Sequence, residues 1–317
     1  MNVGFVGLGN VGGKLAGTLL RNGIALKVMD LDPARVAEFV GRGAGTAATP
    51  YALADWADAV ITCLPSPAAS AAVVEGQDGI LGAMGPGKFW LEMSTTDADE
   101  VKRLGARVMD RGGKAADVPV SGGVHRAATG NISVYAGCDR ETFEAILPIL
   151  TVVGRQVLHT GPLGSASILK VMTNYLATAN LLTLCEALVT MKAAGMDMAT
   201  TYEAIRISSG NSFVHETESQ LILSGSRDVN FTMDLVQKDI GLFQKIAEAH
   251  GVPLEISPLM IRIFTDAQAR YGQKAQSDRV IERLEEATGL SILAPGFPTE
   301  LVDEEPEGRG HEVRPPR

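Results

Sequence analysis

Cysteines are few in this sequence, and basic residues form no cluster. Only Cys63, Cys138 and Cys185 occur in 317 residues, and no two of them form a CxxC pair. An odd number of widely separated cysteines fits neither a disulfide framework nor a zinc site, so we expect no bound metal and a reducing, cytoplasmic location. The net charge is −9, and without a basic cluster the chain is a poor candidate for binding nucleic acid or an anionic membrane. Small molecules are therefore the expected partners.

Long uninterrupted hydrophobic runs are also lacking. The N-terminal sequence MNVGFVGLGN has neither the basic segment nor the cleavage site of a signal peptide. The most apolar long stretch, residues 175–191, is interrupted by Asn180, Thr183 and Glu186, which predicts a buried helix rather than a membrane span. With 45% hydrophobic residues, a chain of this length predicts about two soluble globular domains.

Short apolar runs alternate with helical patterns over the first half of the chain. The predicted strands are residues 3–6, 26–29, 59–64, 89–93 and 132–135, and the predicted helices between them include 11–22, 33–43 and 97–111. Near-continuous apolar strands that alternate with helices are typical of a parallel sheet covered on both faces. We therefore predict an α/β Rossmann domain over residues 1–163.

The strand pattern stops at Gly164. Residues 165–194 have apolar residues at helical spacing, and the helix they predict stops at Gly195. Further helices are predicted at 199–208, 232–250, 257–271 and 278–288. We predict an all-α C-terminal domain over 164–292, with 164–194 as a long interdomain helix. Residues 293–317 are rich in proline and charge, and they are predicted to form an extended, disordered tail.

A glycine-rich motif follows the first predicted strand and begins the first predicted helix. It consists of Gly7, Leu8, Gly9, Asn10, Val11 and Gly12. In such a motif the first glycine permits a tight turn, the second lets the backbone approach a pyrophosphate, and the third lets helix and strand pack closely. The N–H groups at the start of the helix favour phosphates. The motif predicts a dinucleotide site, and the alternative is a glycine-rich turn without a ligand.

The predicted cofactor is NAD, with NADP less favoured. Asp30 ends the second predicted strand, 18 residues after Gly12. A carboxylate at this position accepts hydrogen bonds from the ribose hydroxyls of NAD and repels the 2′-phosphate of NADP. Asp32 adds negative charge, whereas Arg35 weakens the preference.

Two further strand ends are expected beside the same crevice, because ligands of open parallel sheets bind beyond the carboxyl ends of the strands. Leu64, Pro65 and Ser66 end one strand, and Thr95 lies in the Ser-Thr-Thr segment after the next. We predict that Leu64, Pro65 and Thr95 contact the cofactor. For the hydroxyl residues the alternative is helix capping.

Four segments of the chain carry a family resemblance. They are GFVGLGNVG at 4–12, DVPVSGG at 117–123, GPLGSASILKVMTN at 161–174 and QKDIGL at 237–242. Together they resemble the β-hydroxyacid dehydrogenase family, typified by 3-hydroxyisobutyrate dehydrogenase and tartronate semialdehyde reductase. The resemblance covers about residues 1–292 and implies oxidation of a short β-hydroxy acid, or reduction of its semialdehyde, with a nicotinamide cofactor. It also implies a 6-phosphogluconate dehydrogenase-like C-terminal domain and a homodimer or homotetramer, which exposed apolar surface on the long helix also favours.

Lys170 and Asn174 are the predicted catalytic residues. They lie four residues apart on the long helix, so they share one face. Burial and the positive helix N-terminus both disfavour a charged amine at Lys170, as a general acid/base requires. The resemblance assigns Lys170 proton transfer with the substrate oxygen, and Asn174 contact with the substrate hydroxyl or with the lysine. The alternatives are a lysine whose stem covers apolar surface and an asparagine bonded to a nearby carbonyl.

The turn at Ser121, Gly122 and Gly123 is the predicted site for the substrate carboxylate. It offers a hydroxyl and successive backbone N–H groups that no side chain obstructs, an arrangement that binds anions. The resemblance implies the same role, and it matches Lys238 to a lysine that closes over cofactor and substrate. The alternatives are a plain glycine turn and a solvated lysine on a helix face.

The sequence departs from the family pattern at two positions near this turn. Arg126 stands where many members have glycine and some have lysine, and Asn131 stands where threonine is common. Arg126 either binds a second anionic group of the substrate or pairs with an acidic residue at the surface. The rival functions are an imine reductase, whose members generally lack a lysine at the position of Lys170, and a nucleotide-binding regulatory module without turnover.

Overall fold

The computed structural model describes residues 1–316, which divide into two compact units. The first comprises Met1–Lys170 and the chain from Asp303 onward, and the second is Val171–Val302. The division lies seven residues later than the predicted boundary at 163/164. The reason is that the first turn of the long helix is hydrogen-bonded to the sheet of the first unit.

Ten strands form one sheet in the first unit of the described chain. They are β1 (Val3–Val6), β2 (Leu26–Met29), β3 (Gly45–Thr46), β4 (Ala59–Thr62), β5 (Phe89–Glu92), β6 (Lys114–Asp117), β7 (Val120–Ser121), β8 (Ile132–Gly137), β9 (Gly154–Gly161) and β10 (His311–Val313). Their order is β10-β9-β8-β6-β5-β4-β1-β2-β3, and β7 pairs with β8. The pairs are parallel except that β8 runs antiparallel to β6 and β7. The predicted Rossmann sheet is confirmed.

Helices cover both faces of this sheet. They are α1 (Asn10–Arg21), α2 (Pro33–Gly41), α3 (Pro50–Trp56), α4 (Pro67–Glu75), α5 (Ala98–Asp110), α6 (Gly123–Thr129) and α7 (Arg140–Val153), with a 3-10 turn at Ile80–Ala83. Because side chains alternate along a strand, Phe5 and Val6 of β1 enter two different hydrophobic clusters. The buried Trp90 belongs to the cluster of Val6.

The second unit is helical, as predicted. It contains most of α8 (Ser165–Ala193), followed by α9 (Met198–Arg206), α10 (Phe213–Ser224), α11 (Met233–Ala249), α12 (Ile256–Tyr271), a 3-10 turn at Ser277–Ile281 and α13 (Glu282–Thr288). Its core is one apolar cluster from several helices, including Leu188, Ile240 and Phe264.

By length and composition alone, α8 is apolar enough to cross a membrane. Its most apolar window of 18 residues has a mean hydropathy of 1.2, and 33% of that window is buried. This is contrary to the expectation of a stretch too polar to span a bilayer, and only part of the helix is buried. A single such helix is weak evidence for a membrane segment, because the core helix of a soluble protein meets the same criterion.

The prediction of a disordered C-terminal tail is wrong for the described residues. Ala294 N–H donates to the Leu223 carbonyl oxygen at 2.9 Å, and the Phe297 ring packs edge-on against Tyr202. From Asp303 the chain belongs to the first unit, where β10 pairs in parallel with β9. We call residues 303–313 the C-terminal strap. Few of its residues are apolar, and hydrogen bonds and ion pairs with the sheet unit hold it in place instead.

Candidate active site

The glycine motif forms the turn between β1 and α1. Gly7 has a φ of +99°, and a Cβ atom there would lie 2.2 Å from the Cys63 carbonyl oxygen. A Cβ on Gly12 would lie 2.1 Å from the Gly7 carbonyl oxygen, so helix and turn leave no room for a side chain. At Gly9 the nearest atom to a Cβ is Nη1 of Arg35, at 3.7 Å. The open face of the turn therefore lies at Gly9, where a pyrophosphate would approach.

The N-terminus of α1 suits an anion. Within residues 1–316, no side chain caps this end of the helix, its N-cap is Gly9, and its first turn carries no acidic residue. The N–H groups at the start of such a helix carry partial positive charge. The residues present therefore fit a dinucleotide phosphate.

Asp30 lies at the end of β2 beside the motif. Its Oδ2 accepts a hydrogen bond from the Leu8 N–H at 2.6 Å, and its Oδ1 accepts one from the Asp32 N–H at 2.8 Å. Arg35 places Nη1 3.9 Å from Asp30 and Nε 3.5 Å from Asp32. A shallow depression next to these groups is lined by Met29, Leu31, Val36, Val40 and Ala47. A carboxylate beside an apolar depression fits the ribose and adenine of a dinucleotide.

The loops after β4 and β5 are held together by hydrogen bonds. Leu64 N–H donates to Ser94 Oγ at 2.7 Å, and Ser94 N–H donates to the buried Glu92 carboxylate at 2.9 Å. Burial raises the pKa of Glu92, and hydrogen bonds from Ser94 oppose the rise. Ser66 Oγ caps α4 by accepting from the Ala69 N–H at 3.2 Å. Capping, the alternative reading for these hydroxyls, is therefore the observed role of Ser66.

The predicted substrate turn lies between β7 and α6. Gly122 and Gly123 have φ of +130° and +86°, which side chains strongly disfavour. A Cβ on Gly122 would lie 3.4 Å from Arg126 Cδ, and one on Gly123 would lie 2.8 Å from His125 Cε1. Both side chains therefore fold back over the turn that follows Ser121. Burial and the charge of Arg126 lower the pKa of His125, so the positive charge beside the turn is that of Arg126.

A buried carboxylate that the sequence analysis did not select lies at the start of α8. Asp117, at the end of β6, is fully buried and accepts hydrogen bonds from the N–H groups of Gly164 and Ser167, both at 2.7 Å. Desolvation raises the pKa of Asp117, and the two backbone donors oppose the rise. Lys170, three residues further along α8, is only 6% exposed. Asp117 thus fixes the first turn of the helix that carries Lys170.

In the second unit, Asp239 joins two of the predicted site residues. Asn174 Nδ2 donates to Asp239 Oδ2 at 2.5 Å, and Lys238 Nζ lies 3.0 Å from Asp239 Oδ1. Asp239 is 2% exposed and the Lys238 side chain is 21% exposed, so Lys238 is not a solvated residue on a helix face. The Asp239 carboxylate therefore orients the Asn174 amide and pairs with the Lys238 side chain.

The predicted residues therefore fall into local groups. In the first unit, residues 7–12 and Asp30 lie together at the carboxyl edge of the sheet, with Leu64, Pro65 and Thr95 in the loops that follow the neighbouring strands β4 and β5. The turn at 121–123 lies beside Arg126. In the second unit, Asn174 and Lys238 share Asp239.

Asp117 and Asp239 are the residues that sequence reasoning missed. Asp117 lies in DVPVSGG and Asp239 lies in QKDIGL, two of the segments that carried the family resemblance. Their place in these segments was the signal by which the sequence could have indicated them. Among residues 1–316, no three histidine, cysteine, aspartate or glutamate side chains are arranged to hold a metal ion.

Two protein-family models together match most of the chain. Residues 2–161 match the NAD binding domain of 6-phosphogluconate dehydrogenase, and residues 164–284 match the NAD-binding model of NADP-dependent 3-hydroxyisobutyrate dehydrogenase. The first match covers the sheet from β1 to β9, and the second covers α8 to α12 and continues into α13. The chain is therefore an oxidoreductase with an NAD(P)-binding domain.

Characterised and solved proteins are similar over nearly their whole length. The 2-(hydroxymethyl)glutarate dehydrogenase of Eubacterium barkeri is 31% identical over 92% of this chain and 97% of its own. The NAD-dependent L-serine dehydrogenase of Pseudomonas aeruginosa is 30% identical over 90% of this chain and 98% of its own. The crystal structure of 3-hydroxyisobutyrate dehydrogenase from Salmonella typhimurium has a TM-score of 0.82. It is 28% identical in sequence, and the match covers 89% of this chain and 99% of that protein. With its predicted resemblance thus confirmed, the chain belongs to the β-hydroxyacid dehydrogenase family.

Proposed function

We propose that this protein oxidises the hydroxyl group of a short β-hydroxy acid to the semialdehyde, or catalyses the reverse reduction, with Lys170 as general acid/base. The observation that carries the proposal is a buried lysine on a helix whose first turn is fixed by Asp117. In oxidation the neutral Lys170 amine accepts the hydroxyl proton while the carbon loses a hydride. The nicotinamide cofactor, when bound, supplies the hydride chemistry.

The chain's own residues support NAD as the preferred cofactor. Asp30 is oriented by the Leu8 and Asp32 N–H groups, which holds a carboxylate where the adenosine ribose would lie. Asp32 adds a second negative charge, and Arg35 lies within ion-pair distance of both carboxylates. Arg35 is thus already balanced by two acids, which reduces its capacity to hold a 2′-phosphate.

The turn at 121–123 is proposed to bind the substrate carboxylate through its hydroxyl and backbone N–H groups. Arg126 folds over Gly122 and supports a substrate with a second anionic group. The relative named 2-(hydroxymethyl)glutarate dehydrogenase is named for such a dicarboxylate, whereas the relative named L-serine dehydrogenase is named for an acid with one carboxylate. In the second unit, Asn174 and Lys238 are both held by the Asp239 carboxylate, and they are proposed to contact substrate and cofactor.

A homo-oligomer is part of the proposal. Only 33% of the most apolar window of α8 is buried, and Ile168, Leu176 and Met191 on this helix are exposed. A second copy of the chain would cover such a surface. Sedimentation of the full-length protein should give a dimer or a tetramer, and a monomer at micromolar concentration would contradict this part of the proposal.

The test is a rate measurement on the full-length protein with matched lysine variants. We expect wild type to form NADH from 3-hydroxyisobutyrate, L-serine or 2-(hydroxymethyl)glutarate, faster with NAD than with NADP. Lys170→Met should lower kcat by about 100- to 10,000-fold, as loss of general acid/base catalysis does, while NADH still binds by fluorescence titration. Lys192→Met, near the other end of α8, is the control and should keep wild-type rates. Full activity in Lys170→Met would refute the mechanism.

A further inference from the structure

The C-terminal strap is hydrogen-bonded to the segment that follows the predicted substrate turn. Asn131 Nδ2 donates to Asp303 Oδ2 at 2.7 Å and to the Glu305 carbonyl oxygen at 2.7 Å. Thr129 Oγ1 also donates to Asp303. Asn131 is 4% exposed, so these bonds join a buried amide to a partly exposed segment. Asn131 stands where threonine is common in the family, and its side-chain amide donates two hydrogen bonds to the strap.

The same two residues contact the backbone of Arg126. Asn131 N–H donates to the Arg126 carbonyl oxygen at 2.9 Å, and Thr129 Oγ1 lies 3.2 Å from that oxygen. Burial alone would raise the pKa of Asp303, but hydrogen bonds from Thr129 and Asn131 and the charge of Arg126 lower it. The Asp303 carboxylate is therefore ionised and lies in the electrostatic field of Arg126.

The helix that carries the cofactor motif holds the same end of α6. Thr18 Oγ1 donates to the Ala127 carbonyl oxygen at 3.0 Å, and Arg21 Nη2 donates to the Ala128 carbonyl oxygen at 2.7 Å. Arg21 also forms an ion pair with Glu307 of the strap at 3.1 Å. The C-terminal end of α6 thus lies between α1 and the strap, and its other end is the turn at Gly122 and Gly123.

The rest of the strap is anchored independently of α6. Gly310 N–H donates to the Thr151 carbonyl oxygen at 2.8 Å, and β10 pairs with β9 from Gln156 to Leu158. Glu312 makes a bidentate ion pair with Arg140, at 2.5 and 3.1 Å. The family-model matches end at residue 284, so the whole strap lies outside them.

We propose that Asp303 is a positioning residue for substrate binding, through which the strap fixes the C-terminal end of α6 and with it Arg126 and the turn at 121–123. The affinity for the acid groups of the substrate then depends on a segment that the family models do not include. This inference rests on the proposed function, because it takes that turn as the site of the substrate carboxylate. A helix of seven residues is too short to be stable by itself, so its orientation depends on the elements that hold it, which include α1 and the strap.

The experiment compares two carboxylate deletions within the strap of the full-length enzyme. Asp303→Ala removes the acceptor of Asn131 and Thr129, and Glu312→Ala removes the partner of Arg140 in β10. We expect Asp303→Ala to raise the KM for the hydroxy acid about fivefold, the effect of losing roughly one net hydrogen bond, with little change in kcat or in the KM for NAD. Glu312→Ala should keep the substrate KM within about twofold of wild type.

Hydrogen–deuterium exchange supplies a readout that does not need turnover. Backbone amides of residues 123–131 should exchange faster in Asp303→Ala than in wild type or in Glu312→Ala. An unchanged substrate KM and unchanged exchange in Asp303→Ala, or equal effects of both variants, would overturn the inference. If wild type oxidises no hydroxy acid, the proposed function fails, while faster exchange confined to Asp303→Ala would still show that the strap positions α6.

Discussion

Asp117 in the sheet unit and Asp239 in the helical unit are both buried carboxylates next to predicted site residues, yet they are satisfied by different partners. Asp117 accepts two backbone N–H bonds from the start of α8, at Gly164 and Ser167. Asp239 is bound by two side chains, those of Asn174 and Lys238. Asp117 therefore fixes a backbone segment, whereas Asp239 fixes the polar side chains themselves.

The difference predicts which property each carboxylate controls. Backbone donors at the start of a helix are left unsatisfied when their acceptor is lost, and a buried unsatisfied N–H costs folding free energy. Side-chain donors that lose their acceptor can turn toward water instead, so loss of the Asp239 carboxylate should affect activity more than stability. Variants at the two positions can test this division between stability and activity.

The largest effect is expected for Asp117→Asn. The amide group places an N–H donor against a backbone N–H, so the unfolding free energy should fall by about 2–4 kcal/mol. Urea denaturation of the full-length protein measures this loss. Asp139→Asn is the control, because Asp139 also accepts a backbone N–H, from Thr142 at 2.9 Å, but lies exposed at the start of α7. It should cost less than about 1 kcal/mol, because asparagine caps a helix N-terminus about as well as aspartate and only the negative charge is lost. Equal losses would refute the comparison.

A smaller effect, on activity, is expected for Asp239→Asn. The variant keeps an oxygen for Asn174 and loses the charge beside Lys238, so kcat/KM should fall about tenfold, as expected for one charge-assisted hydrogen bond. Steady-state rates with NAD measure the change. Asp234→Asn is the control on the same helix, since Asp234 pairs with Lys274, whose side chain is 81% exposed. A loss of stability without a loss of activity at Asp239 would contradict the proposed division.

The smallest effect concerns a buried acidic pair in the second unit. Burial raises the pKa of Glu218 to about 8, with the charge of Asp278 adding to the rise, and burial raises the pKa of Asp278 to about 7 against the opposing charge of Arg227. The folded state therefore holds protons that the unfolded state releases above its lower pKa. The contribution of these two protonated carboxyl groups to the unfolding free energy is complete below about pH 4, and it is lost as the pH rises through 7 to 8.

Glu218→Gln isolates this contribution. Its unfolding free energy relative to wild type should increase between pH 5 and pH 8 and then level off, because the amide does not ionise. Thermal or urea unfolding across this range measures the difference. Glu216→Gln, at an exposed position on the same helix, is the control, and its unfolding free energy should change with pH as that of wild type does. If the unfolding free energy of Glu218→Gln had the same pH dependence as that of wild type, the buried pair would not contribute to the pH dependence of stability.

The sequence predicted the elements whose apolar pattern is local. The first two strands were predicted with their observed bounds, because three of the four residues in each strand, VGFV and LKVM, have large apolar side chains. The pattern gave no signal for β6, whose sequence is KAAD, or for β9, whose sequence is GRQVLHTG. Pairing with neighbouring strands stabilises these two strands, and the residues concerned are distant in sequence.

The same limit explains the error at the C-terminus. The strap has the proline and charge content of a disordered segment, and its own composition supplies no hydrophobic core. Its order depends on the edge of β9 and on partners such as Asn131 and Arg140, more than 150 positions earlier in the chain. Composition reports what a segment can bury by itself and contains no information about an available sheet edge.

By itself the sequence determined the sheet and helix classes, the glycine turn, Asp30 at a strand end, and a lysine and an asparagine one turn apart. These follow from spacing within about 30 residues, which strand and helix periodicity convert directly into position. Only the tertiary structure decided which carboxylates hold these groups, that Ser66 caps a helix, and that the tail is bound. Asp117 meets Gly164 across 47 residues, and Asp239 meets Asn174 across 65 residues. Contacts at that separation depend on how the elements pack, and local pattern does not specify packing.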